Sequence, residues 1–378
     1  MPLAARKISQ HLIEIVFALL AAAVTLSAQQ AAPSTALSAE KREKIQVAAN
    51  EFLKTSSAPG VAVAVVLDGK TAWAQGFGKA DLENSAPATP ETLFRLASVS
   101  KPLTATAILQ LVERGKLDLD AEVQTYCPTF PKKPWPITSR QLLGHLGGIR
   151  HYNSDGKGDV PDDSAKHFAT MEESLTLFEN DPLVSQPGTA FHYSTYGYTL
   201  LGCVLEGAAH EKFLDYMRAN VFGPAGMAVT EADDNAAIIA RRTRWYHQEK
   251  SGPVQNAGVL DSSYKIPGGG FLSSAEDMAR YEEAMLADKL VKRSTRDLLW
   301  TAQKTTDGKF TEYGMGWGVS QKFGLNLYGH TGGQQGTSTS IVLAPEKRAG
   351  IVVLSNMDGV DAHGLSLQIL GIVLDLKE

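Results

Sequence analysis

The chain reads as an α+β protein, with an antiparallel sheet built from both ends of the chain, flanked by helices, and a mostly helical segment inserted between. Three observations predict this. First, "PGVAVAVVLDGKTAWAQGFGKADL" places two apolar runs around Asp68-Gly69, the pattern of a two-residue hairpin. Second, strand patterns return only near the far end, in "YGMGWGVSQKFGLNLYGHTGG", "TSTSIVLAPE" and "RAGIVVLSNM", joined by short turns. Third, the stretch from about Lys101 to Tyr264 alternates helical periodicity with loops rich in Pro, Gly and Asp. Strands at both ends with helices between suit two subdomains with a cleft. The expected division is a sheet domain over 38–100 and 265–378 and a helical domain over 101–264. Helices "AEKREKIQVAANEFLKT" and "AHGLSLQILGIVLDL" should bracket the sheet, and Ser274 with Asp277 should form a capping box for "AEDMARY".

The first residues read as an export signal. Arg6 and Lys7 give a basic start, "IVFALLAAAVTL" an apolar run, and "LSA" a cleavage site after Ala28. The run is short for a bilayer span, Glu14 interrupts it on the amino side, and no cysteine follows it. The expectation is a signal peptide over 1–28, a disordered leader over 29–37, and an exported periplasmic or secreted protein with no stable membrane anchor after cleavage. Residues 1–28 carry Arg6, Lys7 and Glu14, so their removal takes the formal charge from −5 to −6. No lysine- or arginine-rich block stands out, which sets aside a nucleic-acid partner. Cys127 and Cys203 are the only cysteines. They can pair in an oxidising compartment, but Cys203 lies in "YTLLGCVLE", a buried helix, and two separate buried thiols are the expectation. His210-Glu211 lacks the second histidine of a zinc motif, so no metal or other cofactor is implied.

Chemistry enters at "FRLASVSKPLTATAILQLVERGKLDLD". Ser-x-x-Lys occurs four times, at Ser38/Lys41, Ser98/Lys101, Ser154/Lys157 and Ser262/Lys265, so the surroundings must choose. Ser38 opens a charged surface helix, Ser154 lies in a Gly/Asp turn, and Ser262 in a connection ending in three glycines. Only Ser98 precedes a long apolar periodicity, Leu103, Ala107, Ile108, Leu111 and Val112. A serine in the first turn of a buried helix sits near free backbone N–H groups and the positive end of the helix dipole. Lys101, one turn on, shares its face, and burial would lower its proton affinity enough for it to act as a base. Pro102 disfavours α geometry at Lys101, so a tight first turn with the regular helix starting just after is expected. By itself, Ser98 fits a nucleophile or a plain helix cap.

Three further stretches have two readings each. In "FHYSTYGYTLLGCVLEGAA", Tyr193, Ser194 and Thr195 precede a second apolar helix. They are an aromatic helix start, or a phenol that shuttles a proton with a Thr195 hydroxyl that holds substrate. In "YGHTGGQQGTSTSIVLAPE", His330, Thr331, Gly332 and Gly333 form a glycine-rich turn, or an edge-like strand whose open N–H groups receive a substrate. In "ITSRQLLGHLGGIRHY", His145 is read as a structural loop histidine rather than a catalyst.

Taken in order, Ser98-x-x-Lys101, Tyr193-x-Thr195 and His330-Thr331-Gly332 resemble the three motifs of the serine β-lactamases and penicillin-binding proteins. "LLGHLGGI" and "PGGGFLSSAEDMARY" are similar to that family's connecting segments. The closest flavour is the class C-like branch of lactamases, esterases and D-alanyl peptidases. Within it, "SVSKPLT", "HLGGIRHY" and "YSTYGYTLLG" look like the mitochondrial serine β-lactamase-like proteins and their bacterial relatives. The resemblance implies a β-lactamase-like fold with Ser98 as nucleophile, Lys101 and Tyr193 sharing general-base duty, and the backbone N–H groups of Ser98 and Gly333 as oxyanion hole. Thr195, His330, Thr331 and Gly332 would contact substrate.

Two departures stand out. None of the eleven tyrosines has Asn two positions on, the usual second motif; Tyr152-Asn153-Ser154 is a fallback that precedes a polar loop. The usual third motif, Lys-Thr-Gly, carries His330 in place of lysine, while Lys250-Ser251-Gly252 has no strand after it. There is no G-x-S-x-G elbow of an α/β-hydrolase. The expectation is an exported serine hydrolase of amides or esters that acts on a small molecule or peptide, with a homo-oligomer left open. The alternatives are a true β-lactamase or D-alanyl-D-alanine carboxypeptidase, and a non-catalytic penicillin-binding sensor or polymerising scaffold. An unperturbed histidine titrates near pH ~6.5, so His330 is expected to hold a substrate carboxylate in mild acid.

Overall fold

In the computed structural model, which describes residues 36–152, 166–250 and 252–376, helix α1 (Ala39–Ser56) starts on a Ser38 cap whose side chain accepts from the Lys41 N–H. The first Ser-x-x-Lys is therefore a helix cap. The expected leader ends earlier than residue 37, because Leu37 is buried among the terminal helices and the sheet. The expected signal peptide and Ser154/Lys157 lie outside the described residues, as does the Asn153-Ser154 part of the fallback motif.

Strands β1 (Gly60–Leu67) and β2 (Lys70–Asp81) form the expected hairpin. Asp68 and Gly69 both take left-handed backbone, φ 54° and 75°, as a primed turn requires. The remaining strands of the main sheet are β3 (Ala86–Pro87), β4 (Gly318–Lys322), β5 (Leu325–Gln334), β6 (Thr337–Ala344) and β7 (Ala349–Ser355). Their order is β3-β2-β1-β7-β6-β5-β4, antiparallel throughout. The first and last strands of the chain thus meet at its centre, with Val63 opposite Val353. This is the α+β architecture that the strand placement predicts.

Both faces of the sheet are buried, and the period-2 alternation assigns each residue a side. Val61, Val63, Val65, Ile351 and Val353 face α1 and the last helix, α5 (Ala362–Leu374). Ala62, Ala64, Val352 and Leu354 face the interior, where α2 (Ser100–Glu113), α3 (Thr195–Ala209) and α4 (Ala275–Leu286) gather. Alanine on the inner side of β1 lets α4 lie close to the strand. The inner core runs without a break from the sheet through α2 and α3, so the helical segment and the sheet share one apolar interior.

Two local expectations need correction. Ser274 caps α4 by accepting from the Asp277 N–H, but the Asp277 carboxylate does not complete a capping box. It accepts instead from Ala228 N, Val229 N and Thr230 Oγ1, tying down a distant loop. Cys127 and Cys203 are not separate thiols: they form a disulfide. Cys203 is on α3, and the chain brings the loop containing Tyr126 so close that a Cβ on Gly207 would strike the Tyr126 carbonyl. The bond joins residues 76 apart, a loop whose closure restricts the unfolded chain by about 4 kcal/mol in the chain-entropy account. Reduction is therefore expected to lower stability by about 2–5 kcal/mol, read as an earlier thermal or denaturant midpoint. An unchanged midpoint after verified reduction would contradict this.

Candidate active site

A short strand, Phe94–Arg95, pairs with Phe271–Ser273 and leads directly into the site. Arg95 is fully buried and fastens this approach. Its Nε donates to Asp233 Oδ2 at 2.6 Å, its Nη2 donates to the Leu260 carbonyl at 3.0 Å, and its guanidinium stacks 3.5 Å from the Trp245 ring. Ala97 follows with φ 47°, a left-handed conformation that an alanine adopts only under constraint from its surroundings. The chain then makes one 3₁₀ turn, Ala97–Val99, and α2 starts at Ser100. The tight turn comes earlier than the sequence suggested. Pro102 sits inside the first turn of α2, where its missing N–H leaves no helical bond unmade. From Thr92 to Leu111, Ser98 is the one residue that keeps partial exposure.

Lys101 lies beneath it with no exposure at all. Its Nζ is 3.0 Å from Ser98 Oγ, 3.1 Å from Thr195 Oγ1 and 2.6 Å from the Gly268 carbonyl oxygen. Burial, and secondarily the charge of Lys265, pushes the amine well below the ordinary lysine range. Thr195, expected to touch substrate, lies on the cavity wall with its hydroxyl turned to this amine. Tyr193 stands on the other side of this amine, with the Lys101 nitrogen 4.8 Å from the centre of its phenol ring. Burial raises the Tyr193 phenol above its ordinary value, and the nearness of Ser98 offsets this only in part. Burial thus works against the charged form of both groups, the lysine cation and the phenolate.

The second motif is held in place by the two histidines of "HLGGIRHY". Ser194 caps α3 by accepting from the Gly197 N–H at 2.9 Å. His145 Nδ1 accepts from Ser194 N at 3.1 Å, and His151 Nδ1 accepts from Thr195 N at 3.2 Å. His145 is buried against the Tyr193 ring, 4.3 Å between centroids, and burial holds it well below the usual histidine range. It is a neutral support for the tyrosine.

The third motif lies on β5. Strand β4 pairs with β5 only over Leu325–Gly329, so no described strand covers the outer edge of residues 330–334. Gly332 packs against the turn before Ser98, where a Cβ would strike the Leu96 carbonyl and Thr339 Oγ1. Thr339 Oγ1 in turn donates to that carbonyl at 2.8 Å. This close approach brings Gly333 to the wall of the cavity that holds Ser98. Thr331 is exposed, whereas His330 is buried. Its Nε2 is 2.8 Å from the Tyr313 hydroxyl and its Nδ1 2.6 Å from the Thr331 carbonyl. Burial, then the Lys101 charge, pushes this imidazole down to about 3, so it is neutral where the sequence suggested a cation in mild acid.

Residues of the three motifs line two hollows. One, of about 390 Å³, is lined by Ser98, Thr195, Gly333, Gln334 and Lys265 among others. The other, of about 330 Å³, is lined by Tyr193, Tyr313, His330 and Thr331. Sequence reasoning missed Gly268, Lys265 and Tyr313. The three glycines after Pro267 were the signal for the first: a Cβ on Gly268 would crowd Thr195 and Tyr198. Lys265 belongs to a Ser-x-x-Lys set aside as a connection. Indeed Ser262 Oγ turns away, 3.4 Å from Asp233 Oδ2, yet Lys265 itself lines the serine cavity.

The family model described as Beta-lactamase matches residues 45–372. The chain belongs to the beta-lactamase family. It is 34% identical to the human protein named "Serine beta-lactamase-like protein LACTB, mitochondrial", over 82% of this chain and 76% of that protein. It is 28% identical to "Penicillin-binding protein 4*" of Bacillus subtilis, over 75% of this chain and 64% of that one. Among solved structures it is similar to the octameric penicillin-binding protein homologue from Pyrococcus abyssi, at TM-score 0.76, 27% identity, and coverage of 89% of this chain and 78% of that one. It is also similar to the D-amino acid amidase from Ochrobactrum anthropi SV3, at TM-score 0.74, 25% identity, and coverage of 89% and 98%. Membership of the beta-lactamase family agrees with the fold predicted from the three ordered motifs.

The environment of His330 gives a direct test. Its imidazole resonances are expected to stay those of the neutral ring from pH 8 to pH 5. A midpoint near 6.5 would return it to the role of a titrating cation.

Proposed function

We propose that this protein is an exported serine hydrolase that cleaves amide or ester bonds through an acyl-enzyme on Ser98. The observation that carries the reading is the 3.0 Å separation of Lys101 Nζ and Ser98 Oγ around a fully buried amine. A neutral Lys101 directs its two N–H bonds to Gly268 O and Thr195 Oγ1, leaving its lone pair for the Ser98 hydroxyl proton. Ser98 Oγ then bonds to the substrate carbonyl carbon as its proton passes to Lys101. The oxyanion is received by the N–H groups of Ser98 and Gly333, donors whose individual loss typically costs about a hundred- to a thousand-fold in rate. Tyr193 gives its phenolic proton to the leaving amine or alcohol as the carbonyl–heteroatom bond breaks, and recovers a proton from Lys101. Water repeats the sequence on the acyl-enzyme, its proton taken by the same pair, and releases the acid.

The resemblance to a D-amino acid amidase and to penicillin-binding proteins supports amide substrates. A neutral His330 counts against a β-lactamase that relies on a constant cation in the third motif. Ser98, Lys101 and Tyr193 in mutual reach count against a purely structural protein. The disulfide fits an oxidising compartment, and with the amino-terminal signal pattern it supports export. No helix of the described residues is long and apolar enough to cross a membrane. The octameric homologue supports a homo-oligomer.

A fluorophosphonate probe should label the protein on Ser98 and fail to label Ser98→Ala. Label that persists in that variant would remove Ser98 from the mechanism. Lys101→Ala and Tyr193→Phe should each slow acylation by roughly a hundred- to ten-thousand-fold, and the double variant by less than the product, because both serve one proton path.

The sign of the pH dependence follows from the lowered lysine. The neutral amine is the active form, so kcat/KM for an ester should fall as pH drops through the depressed Lys101 value and be fully developed well below pH 10. A limb that appears only near the ordinary lysine value would show that the buried amine is not the base.

A further inference from the structure

We propose that the hollow beside Tyr193 is a leaving-group subsite for an uncharged, apolar group, so that the enzyme releases neutral aromatic alcohols or amines in preference to leaving groups that carry a carboxylate. The inference rests on the acyl-enzyme reading and concerns which substrates that site takes. In that reading Tyr193 gives its proton to the departing oxygen or nitrogen, so this atom must come within hydrogen-bond reach of the phenol. Tyr193 lines the hollow of about 330 Å³ that also contains Tyr313, His330 and Thr331, whereas Ser98 and Gly333 line the other one. A substituent on the departing atom is therefore directed into the hollow of Tyr193.

The hydrogen bonds of His330 decide what this wall can offer. A carbonyl oxygen only accepts, so the 2.6 Å contact of His330 Nδ1 with the Thr331 carbonyl puts the ring proton on Nδ1. Nε2 of the neutral ring then accepts from the Tyr313 hydroxyl at 2.8 Å. Both nitrogens are spent inside the protein, and the head of the third motif presents a ligand with neither a charge nor a donor. Among the described residues that line the hollow there is no lysine or arginine. His363 Nδ1 is engaged with Ser340 Oγ at 3.2 Å, and burial holds this imidazole below the usual histidine range, so it too is neutral near neutral pH. Lys322, whose charge reaches His363, lines a separate hollow beside the last helix. Glu312, exposed and in no ion pair among the described residues, adds a carboxylate that repels an anion. Thr331 and Ser320 contribute neutral hydroxyls. Val319, Leu327 and Val342 are apolar, and the Tyr328 ring is held flat by stacking on Trp300 at 4.7 Å. A carboxylate entering here would lose water without gaining a cation, whereas an aromatic ring would bury apolar surface.

The test compares p-nitrobenzyl phenylacetate with p-carboxybenzyl phenylacetate. Their acyl halves are identical, and nitro and carboxylate groups share a planar shape but differ in charge. The ratio of kcat/KM for the nitro over the carboxy ester should be roughly tenfold or more in the wild type. Glu312→Arg, a change at an exposed position that sets a cation on the wall, should lower that ratio roughly threefold or more. Comparing variants cancels the intrinsic difference in reactivity between the two esters. In parallel, Ser98→Ala, which forms no acyl-enzyme, should bind the nitro ester more tightly than the carboxy ester by titration calorimetry, and Ser98→Ala/Glu312→Arg should narrow that gap. Hydrolysis of neither ester, together with failure of Ser98 to take the fluorophosphonate, would overturn the hydrolase reading, while the calorimetric arm still decides the subsite. Equal preference, preference for the carboxy ester, no binding of either to Ser98→Ala, or a ratio that Glu312→Arg leaves unmoved would overturn the subsite.

Discussion

A lysine amine sealed from water is the constraint on which the rest of the site depends. Keeping a charge there is costly, so the interior favours the neutral amine, and it still requires every polar contact to be met by protein. Lys101 meets them from three separate parts of the chain: the serine turn on its own helix, Thr195 at the head of α3, and the carbonyl of Gly268. Satisfying one nitrogen thus fixes the heads of two helices and a glycine turn against each other. The disulfide from Cys203 on α3 to Cys127 ties the same helix to the loop that contains Tyr126.

The bases around this amine act on one another. His145 and His330 are both pushed down by burial first and by the Lys101 charge next, and Lys265 lowers Lys101 in turn. Where basic groups crowd a dry site, most must be neutral, and here the two histidines serve as hydrogen-bonding supports: His145 for the backbone of the tyrosine motif, His330 with Tyr313.

Close approach of backbone does the other half of the positioning. Gly332 lets β5 touch the carbonyl before the serine turn, and Gly268 lets the glycine turn reach between Thr195 and Tyr198. Ala97 carries a left-handed φ between them. Strain at this point is tolerable because the flanking groups are buried and fastened, above all by Arg95 and Asp233.

The α+β class, the hairpin at Asp68-Gly69 and the serine turn ahead of a buried helix were legible in the sequence because each rests on local periodicity or turn chemistry. The ordered motifs around Ser98, Lys101 and Tyr193 were legible, and the structure brings the Lys101 amine to 3.0 Å from Ser98 Oγ. What escaped was decided by contacts between distant segments. The pairing of Cys127 with Cys203 depends on how α3 packs against a loop far away in the chain. The state of His330 depends on burial and then on the Lys101 charge, neither visible from its neighbours. Thr195 lines the cavity, but its hydroxyl bonds to a lysine 94 positions earlier in the chain. Lys265 looked like part of a loop and became a cavity wall, because the glycines after it bend the chain back onto the serine. Local pattern settles which elements form and which residue types stand at their heads; proton affinity, partner choice and cavity membership arise only when the folded chain excludes water and brings remote groups together.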